Sequence, residues 1–213
     1  MESVSNVAVI DKGVAILQAL AAGPLDLAAL QAATGLPRAT AHRLAVALEG
    51  HQLVRRDVQG RFCLGFELIR LGRGAAEAFP LAELAAPVLT ELRDNTGESV
   101  QLYVREHDAR RCVVSMQSRH ALQWIVPVGV LLPLAVGSAG KVLAGAGASM
   151  VAQSVEEREP GVASVSAAVL DRGRNVVAAV SISGPLERLS RHPGDRFGAQ
   201  VRVAADRISQ LLG

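Results

Sequence analysis

The sequence predicts an α+β protein whose sheet is mainly antiparallel. Three observations predict it. Three short helical patterns with recognisable start and stop signals precede a hairpin-like segment within the first 65 residues. Beyond Gly97, apolar residues recur with a period of two instead of 3.6. The chain has 213 residues, half of them hydrophobic, enough for a buried core in one or two domains.

The elements follow in order. Ile10, Val14, Leu17 and Ala21 share one helical face and predict a helix over 8–22, ended by Gly23-Pro24. Asp26 can cap a second helix, 27–34, with Leu27 and Leu30 inward. Gly35 supplies a left-handed stop. Pro37 suits the first turn of a third helix, which runs to about Glu49. Leu53–Arg55 and Arg61–Leu64 predict two short strands around the turn Asp57–Gly60. Three helices followed by a hairpin make a winged helix-turn-helix, assigned to 1–65. Residues 66–80 predict a linker helix with Leu68, Leu71 and Ala75 on one side, broken by Pro80. Residues 81–213 then form a second, mixed domain. Its first helix, 81–96, carries Leu84, Val88, Leu89 and Leu92. Val100–Val104 and Arg111–Met116 alternate as strands, with the charged stretch Arg105–Arg110 as their loop. Further strands are expected at 122–128, 162–170 and 176–184, and helices at 138–147 and 194–212.

Composition excludes several functions. Aromatics are 3% of the chain, too few for a platform that stacks single-stranded bases. Cys63 and Cys112 lie far apart without metal-ligand spacing, so neither a zinc site nor a disulfide framework is expected, and no cofactor is implied. A reducing cytoplasm fits, and the N-terminal residues lack a signal-peptide pattern. Residues 121–140 carry no charge and are long enough to span a bilayer. Pro127, Gly129, Pro133 and Gly137 interrupt them, and no basic flank marks an inside end. A buried strand-and-loop segment is expected, not a membrane partner.

The third helix carries the first candidate site. Ala41, Leu44, Ala45 and Leu48 mark its apolar face. Ala39, His42, Arg43 and Val46 point the other way, with Arg38 and Thr40 in the first turn. In helix-turn-helix proteins the N-terminal part of this helix enters the major groove of double-stranded DNA. Arg38 and Arg43 can reach guanine edges or phosphates, Thr40 can donate to a phosphate, and His42 can do either. Arg55, Arg56 and Arg61 bracket the wing and would meet the backbone. Net charge is only +2, so the argument rests on local charge: five arginines against Glu49 and Asp57 over 38–61. The competing reading is an ordinary solvated helix, since basic surface patches are common.

The runs Gly35-Leu36-Pro37-Arg38-Ala39-Thr40-Ala41-His42-Arg43-Leu44 and Gly60-Arg61-Phe62-Cys63-Leu64-Gly65 resemble the recognition helix and wing of the isocitrate-lyase-regulator (IclR) family of bacterial transcription factors. Leu132-Pro133-Leu134 through Ser138-Ala139-Gly140-Lys141 and Ser181-Ile182-Ser183-Gly184-Pro185 resemble its effector-domain motifs. The four ordered motifs span nearly the whole chain. The resemblance implies a GAF-like effector domain, homodimers or dimers of dimers, and a small organic effector, often a carboxylate or aromatic acid. Its pocket positions fall on Ser138, Ala139, Ser164, Ser181 and Ser183, and an acidic pocket residue falls on Ser154. A longer helical stretch expected between Val151 and Glu156 is mostly absent here, where Glu156 or Glu157 could compensate. Backbone N–H groups near Ser138 could hold a carboxylate. Any single serine could equally be a turn or capping residue. Ser181 and Ser183, on one strand face, form the better pair.

Two enzyme motifs fail. A phosphate-binding loop ending at Gly140-Lys141 would need glycine at Ala135 and serine or threonine at Val142. Ser138-Ala-Gly-Lys141 fits the S-x-x-K of serine acyl enzymes, but no later lysine exists for a K-T-G motif. The expected function is operator binding modulated by an effector. The alternative is a ligand-blind or degenerate regulator acting as a protein-interaction module.

Overall fold

The computed structural model describes residues 7–77, 80–145 and 151–212. Contacts divide the chain into two compact units, Met1–Phe79 and Pro80–Gly213.

The first unit holds α1 (Ala8–Leu20), α2 (Leu27–Thr34), α3 (Arg38–Gly50), β1 (Val54–Arg56), β2 (Phe62–Leu64) and α4 (Glu67–Glu77). Asp26 caps α2 by accepting from the Ala29 N–H at 2.8 Å, and Gly35 ends it with φ 67°. Ala41 and Ala45, both fully buried, keep the inner side of α3 thin enough for close approach to Ile16, Leu20, Leu30 and Leu36. The hairpin pairs Val54 with Leu64 and Arg56 with Phe62. Leu25 extends it by exchanging two backbone hydrogen bonds with Phe62. One expectation fails in α1. The buried residues are Ile16 and Leu20, while Ile10 and Val14 are exposed. Only Leu17 of the expected face packs against the core. α4 buries none of its residues, and Phe66, Ile69 and Leu71 face solvent. Residues 78–79 of the expected linker helix lie outside the described residues.

The second unit holds α5 (Leu81–Thr96), β3 (Ser99–Glu106), β4 (Ala109–Met116), β5 (Leu131–Pro133), α6 (Ser138–Leu143), β6 (Val151–Val155), β7 (Val162–Leu170), β8 (Val176–Pro185), α7 (Leu186–Leu189) and α8 (Pro193–Leu211). The six strands form one sheet in the order β5-β4-β3-β8-β7-β6, with every neighbouring pair antiparallel. Alternation gives this sheet two faces of different chemistry. Val100, Leu102, Val165, Val180 and Ile182 pack with Leu89 and Leu92 of α5 and Phe197, Val201 and Ile208 of α8. The other face carries Tyr103, Cys112, Ala168 and Ala179 against Ala139, Val142 and Leu143 of α6.

Several expectations are corrected. Residues 122–128 form no strand. Pro127 cannot donate to a ladder, and Gly129 turns with φ 86°, so this apolar run is a loop leading into β5. The β3–β4 turn is confined to His107 and Asp108, and Arg110 and Arg111 lie in β4. α6 stops at Leu143, and residues 146–147 of the longer helix expected there lie outside the described residues. Val151–Val155 is an edge strand, with no helical stretch between Val151 and Glu156. Among the described residues no helix is long and apolar enough to cross a membrane.

Candidate functional site

α3 offers a free basic surface. Arg38, Ala39, His42, Arg43 and Val46 are exposed and Thr40 is half-buried. The side chains of Arg38, His42 and Arg43 have no partner within the described residues. The wing arginines differ. Arg55 lies over the Phe66 ring at 4.9 Å. Arg56 stacks on Phe62 at 4.2 Å and donates to the Gly60 carbonyl at 3.1 Å and to Glu49 at 3.4 Å. Arg61 donates to Asp57 at 2.7 Å. Desolvation acts to raise the Asp57 carboxyl, but hydrogen bonds from the Arg61 side chain, the Arg61 N–H and the Gln59 N–H hold it below the usual range. Arg56 and Arg61 therefore also shape the wing, whereas Arg38, His42 and Arg43 have no side-chain partner among the described residues.

The second unit gathers all six effector candidates. Ser138, Ala139, Ser154, Ser164, Ser181 and Ser183 line one cavity of about 30 Å³. Strand register explains why. Ser154, Ser164 and Ser183 are successive cross-strand partners on β6, β7 and β8. The next row pairs Ser166 with Ser181 and Ser181 with Gln101 on β3. The start of α6 covers these rows. Ser138 Oγ lies 2.7 Å from both Ser164 Oγ and Ser166 Oγ. Ser183 Oγ donates to Gln101 Oε1 at 2.8 Å.

Sequence reasoning missed Tyr103, Arg110, Trp124, Arg158 and Glu159, which line the same cavity together with Gly137 and Val162. Arg110 is 3% exposed. Burial pushes its guanidinium below the usual arginine range. Nη1 donates to the Pro133 carbonyl and, at 2.7 Å, to that of Val136. Nε is buried without a partner among the described residues. The guanidinium presses on the turn into α6. A Cβ at Gly140 would overlap the Leu134 carbonyl oxygen and lie 2.8 Å from Arg110 Nη1. Arg158 stacks over Trp124 at 4.9 Å. Burial raises both Tyr103 and Cys112, the thiol to about 12, so neither ionises near neutrality.

The available signal for Arg110 was its parity with Cys112 on an alternating strand, because both side chains belong on one face. Glu157 accepts from the Gly137 N–H at 3.1 Å and pairs with Lys141. Burial acts to raise its carboxyl, but the Lys141 ammonium and the Gly137 N–H hold it low. Lys141 thus faces Glu157 and the Gln153 carbonyl, while Ser138 bonds to other serines. The Ser-Lys pair of an acyl enzyme is not assembled.

The family model of the IclR helix-turn-helix domain matches residues 9–58. The model of the bacterial transcriptional regulator IclR C-terminal domain matches 74–154 and 147–210. The chain is 29% identical to the glycerol operon regulatory protein of Streptomyces coelicolor over 247 aligned positions, covering 98% of this chain and 97% of that protein. It is 24% identical to the transcriptional repressor IclR of Escherichia coli over 230 positions, covering 90% and 84%. The fold also matches an IclR homologue of Microbacterium hydrocarbonoxydans crystallised with 4-hydroxybenzoate, at TM-score 0.80 and 19% identity, covering 96% of this chain and 98% of that one. An alignment of 247 positions against 213 residues leaves at least 34 positions without a counterpart here. The C-terminal model breaks at 147–154, across the start of β6.

Proposed function

Because the chain belongs to the IclR family of bacterial transcriptional regulators, we propose that it controls transcription by reading a roughly palindromic operator with α3 as a dimer or dimer of dimers in the cytoplasm. The observation that carries this reading is the set Arg38, His42 and Arg43, without side-chain partners among the described residues, on the solvent side of a helix whose other side is buried. Arg38 and Arg43 contact guanine edges or phosphates, with Thr40 and His42 beside them. Arg55, Arg56 and Arg61 in the wing hold the backbone. The exposed Phe66, Ile69 and Leu71 on and beside α4 support dimerisation, since a second copy would remove them from water.

The serine-lined cavity is read as the effector site, and the chain as a regulator without enzymatic activity. A ligand there acts only if it binds one arrangement of the reading heads better than another. The ligand-blind alternative is disfavoured by the cavity itself, which keeps a polar lining despite the shortened region near Ser154.

Arg43→Ala tests the DNA reading. The variant should lose about 1–3 kcal/mol of operator affinity and relax base preference at one position in each half-site. The measurement is a gel-shift titration against an operator selected from random DNA. Unchanged affinity and unchanged preference would remove Arg43 from the reading set.

A further inference from the structure

We propose that the tip of the wing, Val58 with Gln59, enters the minor groove and acts as a second specificity element, accepting A·T and rejecting G·C beside the base pairs read by α3. The proposal rests on the DNA reading above and deepens it.

An exposed valine alone would mean little, because single apolar side chains are common on protein surfaces. Its seat is what gives Val58 a role. Val58 is 96% exposed, more than any other large hydrophobic among the described residues, yet the backbone around it is fixed. Asp57 Oδ1 accepts from the Gln59 N–H at 3.0 Å and from the Arg61 N–H at 2.9 Å. The Asp57 N–H donates to the Arg61 carbonyl, and the Gly60 N–H donates to the Asp57 carbonyl. Gly60 turns with φ 76°, and its carbonyl accepts from Arg56 Nη1 at 3.1 Å. The tip is ordered before any partner arrives, so inserting it loses little conformational freedom.

The tip is also uncharged. Arg61 is paired with Asp57 and Arg56 with Glu49. Beyond these pairs stand Val58 and the Gln59 side chain, which has no partner among the described residues. A phosphate offers nothing to two methyl groups. A minor groove about 6 Å wide is too narrow for a helix about 10 Å across, but it admits a two-residue tip. Its walls are sugar C–H groups. Its floor carries adenine N3 and thymine O2 as acceptors, and a G·C pair adds the guanine N2 amino group. The Gln59 amide can donate to those acceptors. The Val58 methyls fill the space in which the guanine amino group would stand, and they leave that donor without an acceptor.

The competing role is contact with the sugar-phosphate backbone alone, which would treat every sequence alike. Inosine separates the two. An I·C pair keeps the major-groove edge of G·C but lacks the guanine amino group, so its minor-groove edge resembles that of A·T. The full chain would be titrated in gel shifts against an operator selected from random DNA. Each A·T pair flanking the guanines read by α3 would be replaced in turn by G·C and by I·C. At one or more positions in each half-site, G·C should weaken binding at least about fivefold while I·C stays within about twofold of A·T. Val58→Ala combined with Gln59→Ala should bring G·C to within about twofold of A·T at those positions and leave the preferences under α3 unchanged. Both side chains are exposed, so the double variant keeps the fold. A groove chosen only for its narrow width would also let I·C imitate A·T, but that preference would survive the double substitution.

G·C tolerated at every flanking position, I·C binding like G·C throughout, or an A·T preference that survives the double substitution would each overturn the proposal and leave the DNA reading standing. If the full chain selects no sequence from random DNA, the proposal falls together with the DNA reading.

Discussion

Gly65→Ala should unfold the winged unit at temperatures where the second unit remains intact. Gly65 joins β2 to α4, and its N–H donates to the Leu53 carbonyl at 2.9 Å. A Cβ there would overlap the Gln52 carbonyl oxygen and lie 2.7 Å and 2.8 Å from the carbonyl carbons of Gln52 and Leu53. All three obstacles are backbone, so no side chain can swing aside. Relief requires moving the base of the wing, which breaks the Leu53 bond and disturbs Val54 in the core. Overpacking against backbone of this kind should cost about 3 kcal/mol or more. For a unit this small that is a large share of total stability and corresponds to roughly 12 °C or more in melting temperature. Calorimetry should show one transition displaced downwards and one unchanged, with operator binding lost between them. An alanine variant that melts like the wild type would mean that the Gln52–Gly65 approach relaxes without cost.

Arg188→Met should destabilise the second unit by about 3 kcal/mol. The Glu98 side chain is 4% exposed and Arg188 27%. The guanidinium grips the carboxylate with two hydrogen bonds, Nε at 2.7 Å and Nη2 at 2.9 Å. Methionine keeps most of the packing and removes the charge, leaving a carboxylate sealed against β8, where a Cβ at Gly184 would come within 2.6 Å of Glu98 Oε2. Breaking a buried pair from one side costs about 3–5 kcal/mol, and water access on the Arg188 side places this case near the lower figure. Glu98→Gln combined with Arg188→Met should recover much of the loss, because no buried charge is then stranded. Urea titrations of the two single variants and the double variant give the coupling directly. If the double variant is no more stable than Arg188→Met, the stranded charge is not the cause.

Local chemistry made many boundaries legible in the sequence. Asp26, Gly35 and Gly97 act within one turn of themselves, so α2 and the end of α5 follow from the residue types alone. β7 and β8 match the strands expected at 162–170 and 176–184 to within one residue. The buried side of α1 does not, because Ile10 and Val14 are as apolar as Ile16. Only packing against α2 and α3 decides which of them goes inward. The apolar composition of 122–128 suits a strand, and Pro127 with Gly129 outweighs that composition.

The site divides in the same way. Ser181 and Ser183 share a strand face visible from spacing. Ser166 is invisible as a site residue, because serine is common in turns, and only its register opposite Ser181 turns scattered serines into rows. Arg110 stands in a charged run, which by composition belongs to a loop. The hairpin closes on two residues, so the strand resumes early and carries the charge inside.

The chain contains one tryptophan and one tyrosine, and both Trp124 and Tyr103 line the serine cavity. Nearly all the ultraviolet emission of the protein therefore originates at a single location. A solution of the unlabelled regulator is its own gauge of cavity occupancy. The Arg158 guanidinium over the indole makes that emission sensitive to any anion that draws the arginine away, so a wavelength shift on titration would identify ligands without dye, tag or operator DNA.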